Sequence, residues 1–496
     1  MSRPPNILLI TADEMRGDCA GFMGAREVST PHLDALAGRG TVLANHFSPF
    51  PKCVPSRIAM MTGRHCHADG YRTIHQHMPV GTPNVLGSLR AAGWQTAVLG
   101  LNHAWEGLWV KPPQESVADW HSFSGAELEA LAFRPVTLPE PGPQARTPYA
   151  YDSQACGWLR SQRLAGTIGA KGSPEPFCDE NRADQAFHFL RRLRDPAKPF
   201  YLQLNLSKPH PSYEAPEPWF SRYDPEHLTP FPHALPEHVT LPFTAQRQYR
   251  VAGGPPERAL RELQAVYYSM ISWVDSLIGR VLAALDAEGL SDSTLVVFTS
   301  DHGDFAGQYG LHEKWDTVMA DCLLRVPFAI AGPGIPRGAR RDLLTSHVDL
   351  PRALLAAAGL APDWNVHGGD LSEAVAGRAI REAVFADGGH EREMRDRFAN
   401  GDPERLQDKQ LCYHRCRDAM ARTAMVRTSD WKLVVRETGG DELYDLTADP
   451  WELRNLHPRL ADDQELTRRA LDLSGLLQRH LLATMNDQPR QQQVHA

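Results

Sequence analysis

The sequence predicts an α/β protein with a large, mainly parallel central sheet flanked by helices and a smaller α+β subdomain at the C-terminus. Three observations predict it. Short apolar runs alternate with helix-forming segments through most of the 496 residues. Four of those runs end in polar or ionisable residues. From about Arg378 the alternation gives way to a polar stretch and then to a period-two pattern. We therefore divide the chain into a catalytic α/β domain, residues 1–377, and a C-terminal subdomain, residues 378–496.

Taken in order, "NILLITA" reads as a fully buried strand, and "HLDALAGRG" as a short helix with Thr30 placed to cap it and Pro31 in its first turn. "NVLGSLRAAGW" is a helix that runs into the strand "QTAVLG", and "PFYLQLNL" is the next strand. A long amphipathic helix spans roughly 260–287, and the tyrosine and tryptophan of "AVYYSMISWVDSLIG" fall at its core spacing. The strand "STLVVFTS", the strand "FAIAG" and the helix "PRALLAAAG" follow. Short apolar strands between helices imply a parallel sheet covered on both faces. Segments rich in proline and glycine at 135–148 and 208–256 read as long surface loops. In the last part, "AMVRTSDWKLVVRETGGDELYDL" reads as an antiparallel hairpin with a Gly-Gly turn. A final helix covers about 462–481, and "NDQPRQQQVHA" is a frayed tail.

Composition excludes several functions. Apolar content of 42%, charged content of 23% and a net charge of -8 describe a globular chain with no polybasic run, so neither nucleic acid nor a membrane is expected as partner. The apolar run at the N-terminus, Ile7 to Ile10, is too short for a signal-peptide core, which points to the cytoplasm. The eight cysteines are scattered, as in a reducing compartment. Cys412 and Cys416 lack a second Cys/His pair at zinc spacing. His65, Cys66 and His67 are adjacent, and adjacent side chains rarely all turn inward, so they read as loop residues or outer support for a site. Tyr71, Arg72, Trp105 and Trp109 are expected either to line a cleft or to pack loops, and His312 to lie near the site.

Open α/β sheets collect chemistry at the carboxyl ends of their strands. Here "NILLITA" delivers Asp13-Glu14, "STLVVFTS" delivers Asp301-His302, "PFYLQLNL" leads to Ser207-Lys208-Pro209-His210, and "QTAVLG" leads to Leu101-Asn102-His103. Convergence of four such ends on one edge predicts an enzyme. One cysteine does not fit the usual pattern of a nucleophile: Cys53, in "KCVPSRIAMMTGR", sits beside proline, serine and arginine.

The stretch Cys53-Val54-Pro55-Ser56-Arg57, with Thr62-Gly63-Arg64 after it, resembles the signature of the type I sulfatases of the alkaline phosphatase superfamily. The resemblance extends to "PNILLITADE", "STPHLDALAGRG", "SKPHPSY", "FTSDHGDFAGQYGLHEKW", "SHVDLPRALLAAAGL" and "ELYDLTADPWELRNL". It implies an alkaline phosphatase-like fold and hydrolysis of sulfate monoesters. It further implies that a separate maturation enzyme oxidises Cys53 to formylglycine, whose hydrate attacks sulfur with one hydroxyl and expels the oxyanion by losing the proton of the other. By the same resemblance one divalent ion, Ca²⁺ in first place and Mn²⁺ as alternative, is held by Asp13, Glu14, Asp301, His302 and the diol of residue 53.

The resemblance also gives roles to cations. Arg57 orients the diol, His210 contacts the ester oxygen as general acid, and Lys314 clamps the charge on the ester. His103 matches the histidine of a Gly-Lys-x-His segment, but Leu101 stands where that segment has lysine. Losing that cation favours singly charged esters, so hydrolysis of phosphonate monoesters or phosphodiesters is the second reading. A third is a catalytically inactive binding homologue. The expected partners are a small sulfated or phosphorylated ester and the maturation enzyme. The polar segment 388–420 is available for contact in a homo-oligomer.

Overall fold

The computed structural model describes residues 4–79, 81–101, 103–105, 120–121, 178–211, 213–216, 218–251, 254–398 and 408–485. Nine strands build the main sheet: β1 (Asn6–Asp13), β2 (Thr41–Phe47), β3 (Gln95–Gly100), β4 (Trp120–His121), β5 (Phe200–Pro209), β6 (Thr294–Ser300), β7 (Arg325–Val326), β8 (Phe328–Ala331) and β9 (Ala339–Ser346). They lie in the order β4-β3-β5-β1-β6-β8-β2-β7, with β9 beside β2. The run from β4 to β6 is parallel throughout, as is the pair β2–β9. β8 runs antiparallel to β6 and β2, and β7 antiparallel to β2. The four strands whose ends the sequence marks are therefore β3, β5, β1 and β6, which are consecutive neighbours pointing the same way.

The central strand β1 is buried along its whole length, and its side chains serve two cores. Leu8, Ile10 and Ala12 face the long helix Glu257–Ala287, while Ile7 and Leu9 pack with Ile58, Met60 and Met61 of the helix Cys53–Thr62. That second helix is buried at every position. Pro55 is tolerated because it occupies the first turn, and Gly63 ends the helix in the left-handed region (φ 71) with its N–H on the Ala59 carbonyl.

Local details depart from the sequence reading. Thr30 stands at the start of the helix Pro31–Gly38, yet its hydroxyl accepts from the Gly21 N–H and donates to Asp34 instead of capping. The stretch 208–256 is not all loop, because it contains the helix Leu241–Tyr249. The segment 135–148, Trp109 and the tail 486–496 lie outside the described residues.

The second sheet is antiparallel, β10-β11-β12-β13, from β10 (Val384–Gly388), β11 (Thr423–Arg427), β12 (Trp431–Arg436) and β13 (Glu442–Asp445). The expected hairpin is thus part of a meander, with Gly439 and Gly440 at positive φ in the turn between β12 and β13. The helix Gln464–Thr484 covers this sheet through Leu466, Ala470, Leu473 and Leu477.

Where this helix meets the main domain, the sequence reading of 65–67 is overturned. His65 and Cys66 are each only 2% exposed, so all three neighbours turn inward. The His65 ring stacks on His67 and His367, and His480 approaches it edge-on at 4.5 Å. His67 bonds Asp387 at 2.7 Å and Thr484 at 2.6 Å. The short turn Cys66–Asp69 is covered by the second sheet and its helix, which supply the polar partners a surface loop would take from water.

Candidate active site

The sheet edge fixes the acids. Asp13 is the last residue of β1, and Asp301 directly follows β6, the next strand. Glu14 turns away at φ 73, a conformation rare for a non-glycine residue. Its N–H donates to Asp301 Oδ1 (3.1 Å), and the N–H of His302 donates to the same oxygen (2.9 Å). Asp13, Glu14, Asp301 and His302 are completely buried.

Cations surround them. Arg57, one turn into the helix Cys53–Thr62, donates from Nε to Asp301 Oδ2 (2.7 Å), from Nη2 to Asp13 Oδ2 (3.2 Å) and from Nη1 to the Leu101 carbonyl (3.0 Å). Lys314 donates to Glu14 Oε2 at 2.6 Å, and His210 Nε2 lies 3.5 Å from that oxygen. His103 Nδ1 lies 3.8 Å from Asp13 Oδ2. The charges of Asp13, Lys314, Asp301 and Arg57 all bear on the Cys53 thiol. Every residue chosen from the sequence for this site is therefore gathered in one cluster.

Burial sets the protonation states. It pushes the Cys53 thiol up to about 12, and Asp13 and Asp301 add to the rise against Lys314 and Arg57. Burial also raises Asp13, together with the charge of Asp301. Against the same penalty, Arg57 and His302 hold Asp301 well below the usual carboxylate range. Burial lowers His302 to about 4, despite the attraction of Asp301, and His103 to about 3, with Arg57 adding to the drop. Burial and then Lys314 hold His210 well below the ordinary histidine value.

The donor set fits a divalent cation. Asp13 Oδ1 and His302 Nε2 are buried and meet no hydrogen-bond partner among the described residues. His302 Nδ1 faces the Gly303 carbonyl at 2.9 Å, so Nδ1 carries the proton and Nε2 presents its lone pair to Asp13 and Asp301. Ligand atoms of Asp13, Asp301 and His302 lie within 4.8 Å of one another, as do those of Asp13, Glu14 and His210. Carboxylate oxygens with one imidazole suit a hard divalent ion.

Several supports carried no clear signal in the sequence. Tyr267, on the long helix and assigned to the core, donates its hydroxyl to the Glu14 carbonyl (2.6 Å) and accepts from the Arg16 N–H (3.0 Å). Ser56 donates to the Asp301 carbonyl (2.6 Å) and Ser300 accepts from the Met15 N–H (2.8 Å). Tyr213, within the quoted "SKPHPSY", donates to Asp304 and accepts from the Glu313 N–H, both at 2.8 Å. Among the unassigned aromatics, Trp105 is core, and Arg72 is buried against the Gly388 carbonyl and Glu391. His312 meets Arg250 at 3.4 Å.

The family model described as Sulfatase matches residues 5–360. The chain belongs to the sulfatase family. An arylsulfatase of Clostridium perfringens is 26% identical to this sulfatase-family chain over 475 residues, covering 91% of it and 90% of the relative. A choline-sulfatase of Rhizobium meliloti is 28% identical over 483 residues, covering 93% and 84%. Among solved structures, the phosphonate monoester hydrolase of Agrobacterium radiobacter shares the fold with a TM-score of 0.70 at 24% identity, covering 97% of this chain and 96% of that one. A protein solved with its substrate D-glucosamine-2-N,6-O-disulfate gives 0.71 at 20% identity, covering 99% and 100%.

Proposed function

We propose that this sulfatase-family protein hydrolyses sulfate monoesters, using residue 53 as a formylglycine hydrate and one divalent ion, calcium before manganese. One observation supports the reading: residue 53 is buried beside Arg57, Lys314 and carboxylates that could hold a divalent ion, and burial there keeps its thiol from ionising. Attack by a cysteine needs the thiolate, which this environment suppresses. A hydrated aldehyde at the same position offers a hydroxyl nucleophile, and a divalent ion held by Asp13, Glu14, Asp301 and His302 supplies Lewis-acid activation and neutralises the ester's charge. Relatives named arylsulfatase and choline-sulfatase support sulfate as the transferred group.

The remaining residues act by position and charge. Arg57 keeps the two aspartates aimed inward, and Lys314 brings a full positive charge to the edge where the ester oxygens would lie. His210 Nδ1 faces the Pro211 carbonyl at 2.5 Å and therefore keeps its proton, leaving the Nε2 lone pair toward the site. An anionic ester raises the proton affinity of Nε2, so His210 becomes a general acid once substrate is bound.

A second reading, hydrolysis of phosphonate monoesters or phosphodiesters, is kept open by Leu101, which withholds a cation from the edge and so disfavours doubly charged esters while leaving these singly charged ones, like sulfate monoesters, admissible. The test starts with protein co-expressed with a formylglycine-generating enzyme and peptide mass spectrometry across residue 53. Parallel measurement of kcat/KM on an aryl sulfate, an aryl phosphodiester and an aryl phosphonate monoester follows. We expect the sulfate to be turned over most efficiently. A diester preferred by orders of magnitude transfers the assignment to the second reading.

A further inference from the structure

One cation at the active edge has no part in the chemistry above. Arg182 lies on the helix Cys178–His188, and its side chain passes over the end of β3. A Cβ at Gly100 would run into the Asn205 carbonyl oxygen of β5 and would fall 2.9 Å from Arg182 Cδ, so the glycine serves the close strand pair first and leaves room for the arginine as well. The side chain is only 14% exposed. Its Nη1 bonds Asp179 Oδ1, and its other N–H groups find no partner among the described residues.

Asp179 is itself built in. It is 1% exposed and accepts from the N–H of Ser207, the N–H of Lys208 and the hydroxyl of Ser207, at 2.8–2.9 Å. These groups belong to β5, three and two residues before His210. Arg182 is thus fixed to the rim between β3 and β5, with donors to spare. Gly100 ends β3 three residues before His103, and Ser207 and Lys208 lie just before His210, so the Arg182–Asp179 pair flanks the segments that carry both histidines.

A planar guanidinium with unused N–H groups, largely out of water and anchored by a carboxylate, is suited to a planar or multi-oxygen anion. We propose that Arg182 is a specificity-determining residue that receives a second anionic group, a carboxylate or a further sulfate, on the leaving group of the ester. The proposal rests on reading the site as an ester hydrolase. It names the substrate class as esters whose alcohol or phenol is itself acidic.

Binding and turnover test the two claims separately. Calorimetric titration of metal-loaded C53A protein with phenyl sulfate and with the three carboxyphenyl sulfates reads affinity without chemistry. We expect at least one carboxyphenyl isomer to bind about tenfold or more tightly than phenyl sulfate. In C53A/R182Q that ratio should fall to about one, and in C53A/R182K it should recover in part. The proposal is overturned if no isomer is preferred. It is equally overturned if R182Q weakens all four ligands by the same factor, which is the signature of a purely structural Arg182–Asp179 pair. Turnover of the same four esters by the matured protein reports on the ester-hydrolase reading alone: its absence with the affinity ratio intact would sink that reading and leave the anion site standing.

Discussion

The hydroxyl of Tyr267 donates to the carbonyl oxygen of Glu14 at 2.6 Å, joining the middle of the helix Glu257–Ala287 to the residue that turns at φ 73 beside the catalytic edge. A non-glycine residue held in the left-handed region costs about 1–3 kcal/mol and persists only where its surroundings enforce it. Tyr267 is part of that enforcement. The Y267F protein should lose about 1–2 kcal/mol of stability. It should also bind calcium several-fold more weakly, as measured by titration calorimetry. Unchanged calcium affinity would mean that Glu14 holds its position without the tyrosine.

Arg57 offsets the mutual repulsion of Asp13 and Asp301, so its removal leaves buried negative charge uncompensated. In chelator, R57A should lose about 3–5 kcal/mol. Adding millimolar calcium should raise its Tm by more than it raises that of the unaltered protein, because the ion then takes over the neutralisation that Arg57 supplied. Thermal scans of both proteins with and without calcium make the comparison. R57K should fall between them, since one ammonium cannot reach Asp301, Asp13 and the Leu101 carbonyl together.

Tyr213 couples the loop carrying His210 to the loop carrying Lys314 through a single hydroxyl. Y213F leaves Asp304 and the Glu313 N–H without that partner. We expect kcat/KM to fall about tenfold, following the ~1–3 kcal/mol attached to a buried polar group left unpaired. The decrease should appear mainly in kcat, because the affected groups are spaced for the transition state. A decrease confined to KM would contradict this coupling.

The histidine cluster predicts a pH dependence. Burial pushes His480 down to about 3, with His67, His367 and Arg381 opposing its protonation and Asp387 favouring it. Burial and the neighbouring imidazoles likewise depress His65. Asp387, which accepts from His67, and Arg72 are the other charges facing the cluster. A histidine whose folded pKa is depressed takes up protons first in the unfolded state, so stability is full above about pH 6.5 and falls as pH drops below it. Each such imidazole contributes a slope of up to about 1.4 kcal/mol per pH unit. Chemical unfolding from pH 8 to pH 4 should give a shallower slope for H480F, whose ring keeps the stacking on Phe385 seen at 3.8 Å. An identical slope would assign the acid sensitivity elsewhere.

Strand ends were the legible part of the sequence. Apolar runs bounded by Asp13-Glu14, Asp301-His302, Ser207 to His210 and Leu101 to His103 reveal both the strands and the edge they share, because a buried parallel strand must be apolar while its carboxyl end is free to be polar. Tyr267 was not legible: at helical spacing among apolar residues it looks like any core aromatic, and only the approach of helix to strand reveals what its hydroxyl meets. The cluster of His65, His67, His367 and His480 was hidden for a related reason. Its members come from opposite ends of the chain, and no local period marks side chains whose burial depends on the second sheet closing over them. Arg182 belongs to the same class, since only the folded chain sets it over the end of β3 and against Asp179.

Only 5% of Cys53 is reachable by solvent, and it opens a helix with no exposed position. No macromolecule can lay hold of that sulfur once the core it belongs to has closed around it. On the proposed maturation to formylglycine, an oxidising enzyme would have to work on a nascent or still-open chain, so competence would be decided before the polypeptide collapses. On that reading, a copy that folded first would keep its thiol and be a lasting, well-formed dud.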